Sequence, residues 1–234
     1  MEGNEKIEKS LTPPPRRDKG QIRLNARDLS LLTWVGDQYA VRLDSLQLLL
    51  GREARQPTRE AGRLRPSTAR RVISRWLQDE LVTSRKFFYG EPSWIWLTQR
   101  GLRQMAFSFR LWTPKVALLR HVHEVNRVRM HIEQSYASLQ HWRGERRLRR
   151  EHCGDKDFHV PDGEVVTQAH GVIAVEVELS LKARPRLQQI VKTLAHHYPR
   201  VWVFVTPVTQ TLVAEMTGPY SGQFRLYDLH KVAA

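Results

Sequence analysis

The apolar positions change their period along the chain, and the change marks out its elements. Between Asn25 and Tyr39, Leu29, Leu32 and Val35 recur at three-residue steps, which predicts a helix capped by Asn25. A short second helix is expected from Asp44 to Leu50, closed by Gly51. The stretch Arg52 to Arg65 is polar and basic and predicts a long exposed loop. A third helix starts at Pro66-Ser67-Thr68, because proline fits a first helical turn. Its apolar set, Ala69, Val72, Ile73, Trp76 and Leu77, forms one stripe. The opposite face carries Ser67, Arg70, Arg71, Ser74, Arg75 and Gln78. Two strand candidates follow, Leu81 to Tyr89 and Ser93 to Leu97, around Gly90-Glu91-Pro92. This is a hairpin signal with Arg85 and Lys86 near its tip. A further helix begins after Thr98.

Past residue 110 the pattern lengthens. Pro114 to Leu139 reads as a long helix, with Val116, Leu119, Val122, Val125 or Asn126, and Met130 spaced for burial. A dense basic stretch, Arg143 to Glu151, comes next; facing phosphates and lying solvated are equally open for it. Pro161-Asp162-Gly163 then leads into a strand, Glu164 to Gln168, a turn at Ala169-His170-Gly171, and a second strand, Val172 to Leu181. In that second strand Ile173, Val175, Val177, Leu179 and Leu181 alternate with Ala174, Glu176, Glu178, Ser180 and Lys182. Alternation at period two puts both glutamates on one face, and the hairpin brings Asp162 beside it. A helix from Arg186 to His196 and an apolar strand, Val201 to Val205, complete the series.

Charge narrows the partners. Lys and Arg number 38 against 24 Asp and Glu, a formal net charge of +14. Such an excess attracts polyanions, and its arginine content suits phosphate and guanine contacts, so nucleic acid is the expected partner. A membrane is not, because no basic amphipathic helix has a strong apolar face and no run approaches the roughly 18 apolar residues needed to cross a bilayer. Met1 to Ser10 lacks the apolar stretch of a secretory signal, so a cytoplasmic location is expected. Cys153 is the only cysteine, which rules out an internal disulfide and a multi-cysteine zinc site. With 234 residues, three segments are expected: a disordered basic arm over 1–20, containing Pro13-Pro14-Pro15-Arg16-Arg17, and domains over 21–110 and 111–234.

The order helix, helix, helix, hairpin, helix, with "STARRVISRWLQDELV" and "WIWLTQRG" inside Pro66–Gly101, resembles the winged helix-turn-helix. That resemblance implies a third helix in the major groove and a wing on the backbone. Ser67, Thr68, Arg70, Arg71, Ser74, Arg75, Arg85 and Lys86 are its candidate DNA contacts. The second segment resembles the restriction-endonuclease-like PD-(D/E)xK superfamily over most of 114–210, making the whole chain α/β, or α+β overall. By position Asp162 matches the Asp of "PD" and Glu176 the first acidic residue of "ExK". Glu178 stands where that family places its lysine, a departure some restriction enzymes of the superfamily tolerate. Lys182 shares the face but lies four residues on, about 13 Å along an ideal strand.

The resemblance makes Asp162, Glu176, Glu178 and Lys182 the catalytic candidates. Asp162, Glu176, Glu178 and the helix residue Glu124 are the candidate ligands of Mg²⁺ or Mn²⁺. Over roughly 25–210 the combination, with "HEVNRVR", "PDG" and "EVELSLK", also resembles the replication-relaxation family of plasmids and mobile elements. Membership implies a role in the replication or transfer of a mobile element without fixing a reaction. Binding of double-stranded DNA and metal-dependent cleavage or nicking are what the winged-helix and PD-(D/E)xK resemblances together imply; the open alternatives are a non-catalytic regulator and an accessory factor for replication or transfer proteins. A homodimer on paired half-sites is compatible with such a helix, although no heptad seam argues for one. His121-Val122-His123 spells a two-histidine nickase motif, but on a helix those rings point apart.

Overall fold

The computed structural model describes residues 23–53, 62–136, 138–155 and 157–232. The basic arm expected over 1–20 lies outside the described residues, as does most of the loop between Arg52 and Arg65. The chain is mixed α/β, with a three-stranded and a five-stranded sheet among these residues.

Helix α1 (Ala26–Asp37) starts where its cap requires. The Asn25 side chain accepts the Asp28 N–H at 2.9 Å, and the Asp28 carboxylate accepts the Asn25 N–H at 3.3 Å, a reciprocal capping box. Helices α2 (Leu43–Glu53) and α3 (Pro66–Gln78) pack on α1 around Leu32, Leu46, Leu50, Ile73 and Trp76. One residue expected in each buried stripe is exposed. Leu29 is 43% exposed on α1 and Leu77 39% exposed on α3, while Leu31, Trp34 and Val35 turn inward. For Leu29 the cause is helical geometry, since steps of three residues fall 60° short of a full turn and drift off the core face, whereas Leu77 sits at the edge of its stripe in the last turn of α3.

Gly51 does not close α2 but lies within it. A Cβ there would sit 1.9 Å from the Gly62 carbonyl oxygen, so the glycine lets the returning chain pass against the helix.

Strands β1 (Val41–Arg42), β2 (Val82–Arg85) and β3 (Trp94–Leu97) form an antiparallel sheet in the order β1-β3-β2. The first hairpin strand is much shorter than the expected Leu81 to Tyr89. Arg85, opposite Trp94, makes the last rung, so Arg85 and Lys86 stand where the hairpin leaves the sheet. Fully exposed Tyr89 and Gly90, at φ 77°, occupy the loop beyond. Helix α4 (Gln99–Gln104) follows Thr98, whose hydroxyl caps it by accepting the Gly101 N–H at 3.0 Å.

Helix α5 (Val116–Ser135) buries Leu119, Val122, Val125, Asn126 and Met130 as expected, but Val116 at its start is 53% exposed and Leu139 belongs to a strand. Strands β4 (Leu139–Gly144), β5 (Gly163–Thr167), β6 (Gly171–Glu178), β7 (Val201–Val205) and β8 (Phe224–Asp228) align in that order. β4, β5 and β6 pair antiparallel, whereas β6, β7 and β8 pair parallel. One face packs on α5 through Val125, Val128 and Ile132. The other packs on α7 (Arg184–His197) and α8 (Pro207–Thr217) through Leu187, Ile190, Leu194 and Val213. β7 is covered on both faces, which is why its five residues are all apolar.

The basic stretch is divided: Arg149, Arg150 and Glu151 are exposed, whereas Arg146 and Arg147 hold the two halves together. It forms the end of β4 and the short helix α6 (Glu145–Glu151). Arg146, 7% exposed, donates to the Gly36 carbonyl at 2.7 Å and to the Arg110 carbonyl at 2.8 Å. Its guanidinium also lies 5.0 Å from the Tyr39 ring and 4.6 Å from the Phe109 ring. Arg147 bonds Asp37 at 2.7 Å, and Asn126 on α5 donates to the Ala40 carbonyl at 2.8 Å. No described helix is long and apolar enough to cross a membrane.

Candidate functional site

Two regions hold the expected residues. On α3, Ser67, Arg70, Arg71 and Ser74 are exposed and Thr68 is half-buried. Arg75 is committed elsewhere: its guanidinium donates to both oxygens of fully buried Asp28, at 3.0 and 2.9 Å. Asp28 also accepts from the Trp76 indole at 3.3 Å. This buried carboxylate locks α3 onto α1 and leaves Arg70 and Arg71 as the outward cations of the helix. Arg85 and Lys86 are exposed, lying 5.2 Å from the Phe87 ring and 5.8 Å from the Tyr89 ring respectively.

The second region is the acidic end of β6. The β5–β6 register pairs Gly163 with Val175, so Asp162, one residue earlier, comes opposite Glu176, one residue later. Asp162 is fixed at both oxygens. Oδ2 accepts the Val177 N–H at 2.8 Å, and Oδ1 lies 2.8 Å from Nε2 of His121. Glu176 Oε1 lies 2.8 Å from Nε2 of His159. Burial pushes the Glu176 carboxyl up, the nearby Asp162 charge raises it further, and the His159 hydrogen bond opposes both. Burial would pull the His121 imidazole down, but the charge and hydrogen bond of Asp162 outweigh it and lift the ring to about 9. His121 is therefore an imidazolium at neutral pH and serves as the internal counter-ion of Asp162.

Strand β6 stops at Glu178 rather than running to Leu181. The turn that follows exposes Leu181 and folds Lys182 back to an ion pair with the buried Glu178. Lys182 thereby comes close enough for its charge to be felt at Glu176, which an extended strand would not allow. Glu178 is thus already paired. Glu124 is also paired, with Arg127 at 2.7 Å, and Arg127 reaches the Val232 carbonyl at 2.6 Å.

Asp162 and Glu176 are therefore brought together, with Glu178 and Lys182 beside them as a pair, while Glu124 is held by its own helix. Among the described residues, no group of three or more His, Cys, Asp or Glu side chains is arranged to hold a metal ion. The chemistry of the donors still fits a hard cation at two carboxylates, because the Asp162 charge is felt at Glu176 and raises it, a repulsion that a divalent ion would neutralise.

His159 escaped the sequence reading, and His121 entered it only as part of a nickase-like triplet, not as a partner of Asp162. His159 stands two residues before the Pro161-Asp162 pair, a spacing that could have flagged it. His121 is 41 positions from Asp162 and only packing of α5 on the sheet brings it there. Its neighbour His123 points instead to Trp94, 6.2 Å between ring centres, so the two rings diverge as a helix requires.

No family model matches the chain, and neither a curated protein nor a solved structure matches it.

Proposed function

We propose that this chain binds double-stranded DNA through α3 and the β2–β3 hairpin, and cuts or nicks it at Asp162 and Glu176 with Mg²⁺ or Mn²⁺. The observation that carries the proposal is the β5–β6 register, whose continuation past Gly163–Val175 sets the half-buried Glu176 against Asp162. Crowded carboxylates are costly without a cation, and metal-assisted phosphodiester cleavage uses that arrangement. The order of elements supports it. Helices α1 to α3 with a three-stranded sheet fit a winged helix-turn-helix, and α5, the β4–β5–β6 meander, α7 and β7 fit the PD-(D/E)xK core. Both belong to the replication-relaxation resemblance, which would place the chain with a plasmid or mobile element.

Asp162 and Glu176 would hold the ion, which supplies Lewis acidity and a lowered water pKa when bound. With the carboxylate oxygens so occupied, His121 and His159, which bond them in this structure, would be available as donors to phosphate. Lys182, folded back beside Glu178, takes the place of the lysine that the family puts two residues after the first acidic position. Arg70, Arg71, Arg85 and Lys86 hold the duplex, Arg70 and Arg71 from a face able to reach base edges.

A second reading is a non-catalytic regulator or a replication and transfer accessory factor. It is favoured by one observation: each of these carboxylates already has an internal partner, His121, His159 or Lys182. Incubating supercoiled plasmid with the protein, with and without Mg²⁺ or Mn²⁺, separates the two. Metal-dependent nicking that Glu176→Ala abolishes, with an unchanged melting profile, supports cleavage. A plasmid that shifts on a gel but stays intact under both metals supports the regulator.

A further inference from the structure

Beside Glu176 a cleft of about 260 Å³ opens between α6, residues 157–160 and α7. Its polar walls are Arg149, Arg186, His159 and Gln189. Two guanidinium forks, an amide and an imidazole make a surface of hydrogen-bond donors suited to a phosphate. Asp157 is the single carboxylate on the lining. Arg149 is held by Glu145, and Arg184 by Glu215, whereas Arg186 has no ion-pair partner among the described residues. The aromatic wall does not compete as a base platform, because Phe158 is already stacked on His152 with ring centres 3.7 Å apart.

The position of the cleft gives it meaning. His159 belongs to its lining and also bonds Glu176, so a group seated there lies one side chain from the carboxylate pair. Resting on the proposed DNA reading, we infer that this cleft seats a backbone phosphate of the DNA strand, next to the phosphate presented to Asp162 and Glu176. Arg186 is the principal donor, with Arg149 fixed opposite it. The seat orients the strand before any bond is broken and needs no metal.

Anisotropy of a fluorescein-labelled 20-base-pair duplex, titrated with the full chain in EDTA over a range of salt, tests it. Each phosphate contact adds about 0.9 to the slope of log K against log salt on duplex DNA. Arg186→Ala should lower the slope by about 0.9 and Arg186→Lys should keep it, with thermal melting unchanged in both because the side chain is exposed. The decrement should persist in an Arg70→Ala background, since the two contacts lie on different halves. A slope unaltered by Arg186→Ala overturns the inference. Saturable binding of a free deoxynucleoside monophosphate, lost in Arg186→Ala while the duplex slope stays constant, also overturns it and makes the cleft a nucleotide site. A lowered slope in a protein that never nicks plasmid leaves the seat standing and removes the cleavage reading alone. If the unmodified chain fails to bind duplex at all, both fall.

Discussion

Replacing Arg146 by alanine removes a guanidinium that is 7% exposed and donates to two carbonyls in the other half of the molecule, Gly36 at 2.7 Å and Arg110 at 2.8 Å. A hydrogen bond from a charged donor contributes about 1.5–3 kcal/mol. The Tyr39 and Phe109 rings at 5.0 and 4.6 Å add about 0.5–2 kcal/mol of cation–π attraction. Burial works against these gains, as seen in the lowered basicity of Arg146, and water entering the vacated space satisfies part of the carbonyls' need. A loss of about 3–5 kcal/mol is expected, equivalent at this chain length to a fall in Tm of roughly 6–20 °C. Arg146→Met, which keeps the aliphatic stem, should recover only the packing part. Urea unfolding followed by tryptophan fluorescence measures the change, and the salt slope of duplex binding provides the control. A loss under about 1 kcal/mol together with a shallower slope would refute the argument, because it would mean that Arg146 serves phosphate rather than the junction.

Gly51→Ala should be destabilising, toward the upper end of about 1–3 kcal/mol, because its Cβ would meet backbone, the Gly62 carbonyl at 1.9 Å, which cannot swing aside as a side chain does. Wild-type-like thermal melting of that variant would show that the passing chain repacks freely. Stability should also fall on acidification. Burial and then the Arg42 charge hold the His123 imidazole down at about 4, below its unfolded value near 6.5, so the unfolded chain binds the extra proton between those pH values. The stabilisation is complete above pH 6.5 and lost as pH falls toward 4; His123→Phe should flatten that part of the stability–pH curve. An identical curve in the variant would assign the acid sensitivity elsewhere.

Much of the architecture is local and therefore legible in the sequence. Asn25 caps α1 through Asp28, three residues away. The Ala69, Val72, Ile73 and Trp76 stripe, the alternation along β6 and the unbroken apolar run of β7 each follow from which face an element buries. Their neighbour Gly163, paired with Val175, was enough to bring Asp162 beside Glu176. Helix α8 and strand β8 gave no such signal. Within α8 the buried residues are Thr209, Val213 and Thr217, a stripe too weak to read, and β8 is an edge strand with only Phe224 buried.

What the tertiary structure alone decided is how the charged groups are spent. Arg75 reads as one more cation on an exposed face, yet it closes on Asp28, 47 positions away. Arg146 reads as part of a basic run, yet it is consumed by the Gly36 carbonyl, 110 positions away. His121 and Asp162 meet because α5 lies across the sheet, and Lys182 returns to Glu178 because β6 ends at that residue. Periodicity fixes an element's faces through interactions a few residues apart. Which arginine faces solvent and which carboxylate already has its counter-ion depends on where distant elements pack, since the cost of burying a charge is set by whatever partner the fold delivers to it.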